Sequence, residues 1–247
     1  MLCAAYFDAS GKLAGYPFLT VAGATSPIEK WILFEKQWLS VLRGEGVTEF
    51  HATDFAASKG EYKDWKGDKP RRAAFIKRLA KIIKDNVNKL YVVTVETAVW
   101  AEVDREYLLA EHFHSPYALA GFTVTNEALK WAMNKKTLPL KVFFEDGDEG
   151  WGGLKQLCEK YNHFEPLRLP KKEAVPFQVG DFYAWKTRIT ATNSVKIVDN
   201  LKAGDTLREL RKELKSLDRI LVCPGHNGIY SRRNLVKNCQ NFKVPKR

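Results

Sequence analysis

Cysteine is scarce in this chain and follows no framework spacing. The four cysteines, Cys3, Cys158, Cys223 and Cys239, are scattered over 247 residues, which predicts reduced thiols rather than the disulfides of small secreted domains. Long apolar runs are also missing, since no segment approaches the ~20 apolar residues of a membrane span. The N-terminus has neither a basic region followed by an apolar run nor a cleavage site. We therefore expect a cytoplasmic protein without a membrane partner.

Internal repeats and low-complexity tracts are absent as well, which argues against repeat architectures and disordered tails. The remaining composition is that of an ordinary globular protein, with 45% hydrophobic and 12% aromatic residues. A chain of this length can bury a sizeable core, and we expect one large domain.

Acidic residues are few in the last quarter of the chain. Residues 186–247 hold 15 Lys and Arg against 5 Asp and Glu, so nearly all of the net charge of +11 lies there. Such a surface attracts polyanions, of which nucleic acid is the usual one. Part of this positive charge belongs to a solvated helix face, because residues 207–221 show helical apolar spacing and contain acids that pair with the cations. The stretch 230–237 contains no acid, so Arg232, Arg233 and Lys237 are the predicted phosphate contacts.

The N-terminal segment is apolar and ends in a single carboxylate. Residues 2–7 run into Asp8, and Ser10 and Gly11 then form a turn, which predicts a buried strand with an acid at its end. Residues 12–24 are apolar enough to be the returning strand of a hairpin. Two interpretations of Asp8 stay open. It satisfies the amides of its own turn, as aspartate often does, or it belongs to a functional site.

Strands and helices alternate along the rest of the chain, which is typical of an α/β fold with a partly parallel sheet. Ligands of such sheets bind at the carboxyl ends of the strands. We expect the polar residues 58–69 to form an exposed loop over a substrate groove. The first predicted helix begins at Pro27, and further helices are predicted over 70–86, 117–133, 151–161 and 176–188. Strands are predicted over 89–97 and 139–144.

A second predicted strand also ends in acid. Residues 139–144 lead directly into Glu145 and Asp146, as the first strand leads into Asp8. A third acid, Asp181, lies in the middle of a predicted helix among aromatic residues, where solvation does not explain it. Gln178 is three residues earlier and shares its helix face. We therefore expect this face to contact a charged group.

A short segment between the first two predicted helices offers ligands or proton carriers of a different kind. Residues 47–55 contain Glu49, His51 and Asp54, and histidine titrates near neutral pH. The alternative for His51 is a hydrogen-bonded structural histidine beside the sheet. The residues alone leave both interpretations open.

Four short motifs occur in the order of a known family. They are F-D-x-S-G at 7–11, E-x-H at 49–51, a strand that ends in acid at Asp146, and Q-x-x-D at 178–181. This order resembles the domain-of-unknown-function 3800 family, whose fold looks like that of ribonuclease H. The resemblance spans about residues 1–190. It implies a ribonuclease-H-like mixed sheet with an N-terminal hairpin and helices on both faces.

Two positions depart from the family pattern. Ala9 stands where the family usually has a second acid, in D-E-S-G, and Gly180 stands where alanine usually precedes the helical acid. Neither change removes a predicted metal ligand, although Ala9 removes an auxiliary acid. We predict a catalytic domain over 1–190 and a basic, helical C-terminal extension over 191–247 that packs on the same domain.

The resemblance further implies a metal-dependent site. Ribonuclease-H-like enzymes gather carboxylates from a first strand, a later strand and a late helix around divalent metal, and the matching positions are Asp8, Asp146 and Asp181. Three carboxylates in one small site stay ionised only with cations among them, and hard oxygen ligands select Mg²⁺ or Mn²⁺. Such ions activate a water and stabilise the leaving oxygen of a phosphodiester.

The identity of a fourth ligand is left open by the sequence. Glu49, His51, Glu96 and Glu145 all qualify by their chemistry, and the family pattern favours Glu49 and His51, which we therefore include among the predicted catalytic residues. In that arrangement His51 binds metal or transfers a proton.

The prediction for function is a metal-dependent nuclease that hydrolyses phosphodiester bonds of DNA or RNA. Ser10 and Gln178 are predicted substrate contacts, with Gln178 holding a ligand carboxylate or a phosphate oxygen. Two alternatives stay open. The first is a non-catalytic nucleic-acid-binding protein with a degenerate ribonuclease-H-like site, motivated by Ala9. The second is hydrolysis of a smaller phosphoester, with the basic C-terminal quarter incidental.

A zinc site is a weaker interpretation of the C-terminal region. Cys223, His226 and Cys239 are irregularly spaced and lack a paired C-x-x-C, so structural thiols and a turn histidine are favoured. His112 and His114 are interpreted as loop or groove residues without an assigned role.

Overall fold

A mixed six-stranded sheet forms the centre of the computed structural model, which describes residues 2–11, 15–137, 139–200 and 225–246. The strands are β1 (Cys3–Ser10), β2 (Phe18–Pro27), β3 (Lys89–Glu96), β4 (Leu140–Glu145), β5 (Leu167–Leu169) and β6 (Gly225–Tyr230). Their order across the sheet is β5-β4-β1-β2-β3-β6. β2 is antiparallel to β1 and β3, whereas the β1–β4, β4–β5 and β3–β6 pairs are parallel. Every strand except β2 therefore ends at the same edge.

Helices cover both faces of this sheet. They are α1 (Ile28–Gly44), α2 (Ala52–Ala57), α3 (Lys69–Asn86), α4 (Thr97–Glu106), α5 (Leu109–Phe113), α6 (Pro116–Lys135), α7 (Trp151–Asn162), α8 (Phe177–Asn200) and α9 (Arg232–Asn241). One apolar core lies between the sheet and α4 to α7 with α9, and a second lies between the sheet and α1, α3 and α8. The predicted ribonuclease-H-like α/β class, with its hairpin and two helical layers, is confirmed.

Strand β1 is buried on both faces, and this decides where its acid points. Successive side chains of a strand alternate between faces. Cys3, Ala5 and Phe7 belong to the first core, whereas Ala4 and Tyr6 pack in the second. Asp8 continues the second set and therefore lies on the face that α8 covers.

The segment predicted as an exposed loop packs into the second core instead. A 3-10 helix, Gly60–Trp65, buries Tyr62 and Trp65. Tyr62 and Trp65 make edge contacts with each other and with Phe55, and both rings also contact Phe75. The prediction was wrong because it weighed the charged and glycine residues and not the two aromatic ones, whose burial dominates the free energy of a short segment.

The C-terminal region contains a strand that the sequence did not predict. β6 pairs in parallel with β3 and extends the sheet, so this region is not purely helical. The predicted helix over 207–221 and Cys223 lie outside the described residues, as does the side chain of His226, while Cys239 is buried in the first core. The division of the chain at residue 190 stays a prediction, and that residue lies within α8. None of the helices in the described parts of the chain has the length and apolar character that a membrane span needs.

Candidate functional site

Two of the predicted acids meet at the carboxyl edge of the sheet around a lysine. The Lys171 Nζ lies 3.2 Å from Asp8 Oδ2 and 3.2 Å from Asp181 Oδ2. Asp8 is 4% exposed and Asp181 is 6% exposed. The second oxygen of Asp8, Oδ1, accepts a hydrogen bond from the Ala9 amide at 2.6 Å. One oxygen of Asp8 thus serves its own turn, as the first interpretation predicts, and the other faces Lys171, while the functional role of Asp8 stays a prediction.

The third carboxylate of this cluster is Glu145 and not Asp146. Glu145 Oε2 lies 3.7 Å from the Lys171 Nζ. Asp146 instead places its carboxylate 3.2 Å from the Arg168 guanidinium, and its side chain is 47% exposed. The predicted grouping of Asp146 with Asp8 and Asp181 is thus replaced by one that contains Glu145.

Strand register explains this exchange. β1 and β4 are parallel neighbours with Tyr6 opposite Phe143. The next residue on the same face is Asp8 in β1 and Glu145 in β4, because side chains of one face recur at every second position. Asp146 follows one residue later, so its side chain leaves that face.

Helix α8 is fixed to α1 and to the E-x-H segment by two side chains one turn apart. Gln178 Oε1 accepts hydrogen bonds from the Trp38 indole N–H and from the Phe50 amide, both at 2.8 Å. Asp181 Oδ2 accepts one from the Ala52 amide at 3.0 Å. The Q-x-x-D motif therefore positions α8 and the E-x-H loop against each other. Gln178 is buried and has this structural contact, which the prediction of a substrate contact did not include.

Close packing of α8 on the sheet depends on Gly180. A Cβ at this position would lie 2.8 Å from the Ala22 carbonyl oxygen and 2.9 Å from the Asp8 Cβ. Real Cβ atoms do not approach backbone atoms so closely, so any larger residue would push the helix away. Gly180 thus allows α8 to lie close enough to β1 for Asp181 and Asp8 to contact the same ammonium.

The E-x-H segment contributes one residue to the neighbouring cavity. His51 lines the cavity, and its Nδ1 lies 3.0 Å from Asp54 Oδ2, which orients the ring. Both side chains are partly exposed. Glu49 is half-buried and does not line the cavity, although its backbone carbonyl accepts a hydrogen bond from the Tyr62 hydroxyl.

A cavity of 360 Å³ opens directly onto the acidic cluster. Its walls are formed by Asp8, Ala9, Ser10, Gly11, Tyr16, His51, Thr53, Glu145, Asp146, Gly147, Asp148, Lys171, Asp181 and Arg188. At the far side, the Arg188 Nε donates a hydrogen bond to Ser10 Oγ at 2.9 Å, and the guanidinium carbon lies 4.7 Å from the centre of the Tyr16 ring. The cavity therefore has both carboxylates and cations in its wall.

Burial dominates the electrostatics of the cluster. Desolvation raises the pKa of Asp8 well above its ordinary value, against the opposing charge of Lys171 and with the help of Glu145 and Asp181. Burial alone would lower the pKa of Lys171, but the charges of Asp8, Asp181 and Glu145 outweigh it and raise that pKa. Positive charge is consequently held firmly between the three carboxylates.

The predicted phosphate contacts of α9 lie elsewhere. α9 follows β6, which is three strands away from β1, or about 14 Å at the usual strand spacing. The Arg232 guanidinium is paired with Glu102 and Glu106 of α4 at 2.6 and 2.7 Å. The expectation that no acid neutralises this stretch was wrong for Arg232, because its partners come from a distant part of the sequence. Arg233 and Lys237 are exposed.

The donor chemistry of the cluster fits a hard divalent cation. Asp8, Glu145 and Asp181 supply carboxylate oxygens, the ligands that Mg²⁺ and Mn²⁺ prefer, and all three already converge on one positive charge. In the described residues, however, no group of three or more His, Cys, Asp or Glu side chains is spaced to hold a metal ion, and the Lys171 ammonium lies between the carboxylates.

Two solved ribonuclease structures resemble the chain. The first is a chain in the structure of the PCNA:RNase HII complex from Archaeoglobus fulgidus, with 15% identity, a TM-score of 0.44 and coverage of 90% of this chain and 93% of that one. The second is ribonuclease H2 from Pyrococcus horikoshii OT3, with 17% identity, a TM-score of 0.40 and 86% of each chain covered. At these values the likeness supports no assignment of activity. No family model matches the sequence, so the resemblance to the domain-of-unknown-function 3800 family stays a prediction. No curated protein matches it either.

Neither cation of the cavity wall, Lys171 or Arg188, was predicted from the sequence. Lys171 lies in a polar stretch without periodicity, and Arg188 lies at the end of the helix predicted over 176–188. Glu145 was one of several open choices for a fourth ligand. Side chains on one face of a strand recur at every second position, and this rule places Glu145 and not Asp146 on the face of Phe143. No local sequence feature indicated Lys171.

Proposed function

We propose that this protein is a metal-dependent nuclease that hydrolyses phosphodiester bonds of DNA or RNA. The observation that carries the proposal is the convergence of Asp8, Glu145 and Asp181 on one positive charge at the carboxyl edge of a ribonuclease-H-like sheet. Divalent metal held by these three residues would activate a water and stabilise the leaving oxygen of the phosphodiester.

The chain's own groups have separate tasks in this proposal. In the absence of metal, Lys171 offsets part of the negative charge of the three carboxylates and so reduces their mutual repulsion. His51, oriented by Asp54 at the edge of the cavity, accepts or delivers a proton at its ring nitrogen. Gln178 keeps the E-x-H loop and α8 in register.

The test is cleavage of mixed DNA and RNA oligonucleotides in Mg²⁺ or Mn²⁺ by wild type and four variants. Asp8→Asn, Glu145→Gln and Asp181→Asn should each lower the rate by about a hundredfold or more, because loss of a ligand removes several kcal/mol of transition-state stabilisation. Asp146→Asn is the matched control and should retain most activity. Cleavage that survives Asp8→Asn and Asp181→Asn unchanged would refute the site. Loss in Asp146→Asn without loss in Glu145→Gln would restore the ligand set implied by the family resemblance.

A second candidate function is a nucleic-acid-binding protein without catalysis. It is favoured by Lys171, whose ammonium already supplies the positive charge that the carboxylates require. Calorimetric titration with Mn²⁺ separates the two functions. A nuclease takes up Mn²⁺ in a manner that Asp8→Asn and Asp181→Asn abolish, whereas a pure binding protein gives no heat of binding.

A further inference from the structure

Arg188 is a buried cation, and none of the described residues places an anion beside its guanidinium. The residue is 9% exposed, and its contacts are the Ser10 hydroxyl and the Tyr16 ring, both of them neutral. No carboxylate in the described parts of the chain lies within ion-pair distance of its guanidinium. Enclosing an unpaired charge in protein costs several kcal/mol, and burial lowers the pKa of Arg188. A structural arginine would be expected to have a carboxylate partner at this depth.

The position of Arg188 relates it to the acidic cluster. Both line the same 360 Å³ cavity, and Arg188 lies seven residues after Asp181 on α8, about 10 Å further along the helix axis. Charges along one strand of a duplex are about 3.4 Å apart on its axis. At that spacing about 10 Å spans roughly three charges, so an anion at Arg188 would be a phosphate a few nucleotides along the same strand and not the one at the cluster.

The guanidinium is held ready for such a ligand. The Arg188 stem packs on Gly11, where a Cβ would lie 2.9 Å from Arg188 Cδ. The Ser10 hydroxyl accepts a hydrogen bond from the Arg188 Nε–H. The terminal N–H groups of the planar guanidinium fork suit phosphate oxygens as acceptors. A fixed fork loses little side-chain entropy on binding.

We propose that Arg188, held by Ser10 and Tyr16, binds a backbone phosphate a few nucleotides from the scissile one in the same nucleic-acid strand. This inference rests on the proposed function, because it names the substrate feature that the cavity holds beside the carboxylates. It also assigns Ser10 a positioning role, since its hydroxyl contacts the arginine.

The first test measures binding of a fluorescent single-stranded oligonucleotide by anisotropy in EDTA, over a series of salt concentrations. Arg188→Met should weaken binding about tenfold and lower the slope of log K against log[salt] by about 0.7. Arg188→Lys should recover the slope but not the full affinity, because lysine supplies a point charge without the fork. Lys36→Met is the control, since Lys36 is exposed on α1, and it should leave both quantities unchanged.

Two results would overturn the inference. One is wild-type affinity and slope in Arg188→Met. The other is a slope in Arg188→Lys as low as in Arg188→Met, since the charge would then not be the cause. If Arg188→Met does not fold, the wild-type chain decides, because its Arg188 Nε–H resonance should shift and saturate as the oligonucleotide is added. An unmoved resonance would also overturn the inference.

Failure of this inference is distinguishable from failure of the proposed function. Binding is measured without divalent metal, so it does not depend on catalysis. A chain that binds through Arg188 but never cleaves would refute the nuclease proposal alone. A chain that cleaves through Asp8 and Asp181 but ignores the charge at Arg188 would refute this inference alone.

Discussion

Replacement of Lys171 with methionine tests whether the acidic cluster needs its internal cation. Methionine keeps an unbranched apolar stem of similar length and removes only the charge and its hydrogen bonds. The change leaves Asp8 and Asp181 buried without the ammonium that lies 3.2 Å from each. We expect a large loss of stability in the absence of divalent metal.

The expected magnitude follows from the distances and the burial. At an effective dielectric constant of about 20, each 3.2 Å contact is worth roughly 5 kcal/mol before the cost of desolvation. Desolvation of the charges cancels much of this gain. Removal of one partner from a buried ion pair typically costs about 3–5 kcal/mol, because the other charge is left uncompensated. We therefore expect Lys171→Met to lower the free energy of unfolding by about 3–5 kcal/mol in EDTA.

Urea unfolding followed by circular dichroism, in EDTA and in Mn²⁺, provides the measurement. Lys172→Met is the matched control, since Lys172 is exposed, and it should change stability little. Mn²⁺ should restore part of the loss in Lys171→Met, by about 2.7 kcal/mol at a concentration of 100 times Kd. Equal stability of wild type and Lys171→Met in EDTA would refute the reasoning. A loss that Mn²⁺ does not relieve would show that the carboxylates cannot accept metal in place of the ammonium.

Three further outcomes are expected. Gly180→Ala should destabilise the fold by about 1–3 kcal/mol, because the new Cβ would collide with β1 and β2. The control, Gly152→Ala, places its Cβ in open space on α7 and should stabilise the fold by about 0.5–1 kcal/mol. Thermal unfolding of both variants gives the comparison. Gln178→Met leaves two buried N–H groups without an acceptor and should lower the free energy of unfolding in urea by about 2–4 kcal/mol. Unchanged stability would show that these hydrogen bonds are dispensable. Burial lowers the pKa of His112, so the folded state binds a proton there less readily than the unfolded state does. Stability should therefore fall as the pH drops below about 6.5. His112→Phe should reduce this pH dependence, measured as urea midpoints between about pH 7.5 and 5.5.

Local sequence patterns were sufficient for most of the fold. The helix predicted from Pro27 is α1, which begins at Ile28, and the strand predicted over 89–97 is β3. The small and aromatic residues of β1 predicted a buried strand that ends near an acid. These signals are local, because apolar periodicity reports directly on which faces of an element are buried.

Pairings between distant residues could not be predicted in the same way. Lys171 is opposite Asp8 only because the chain returns after β5, and Arg232 meets Glu102 only because β6 joins the sheet beside β3. Neither pairing leaves a local trace in the sequence. Glu145 is an intermediate case, since strand alternation fixes its face but the end of β4 was predicted one residue too early.

The cations Lys171 and Arg188 of the cavity wall have different surroundings, and this asymmetry indicates what the cavity can bind. Lys171 is surrounded by carboxylates. Without its ammonium, that end of the cavity would attract another cation. Among the described residues, the Arg188 guanidinium contacts the neutral groups of Ser10 and Tyr16, so its end of the cavity attracts negative charge. A small anion alone would satisfy only the arginine, and a metal ion alone would satisfy only the carboxylates. A sugar-phosphate backbone that carries its own divalent counter-ion would satisfy both ends, which is consistent with the phosphodiester substrate that we propose.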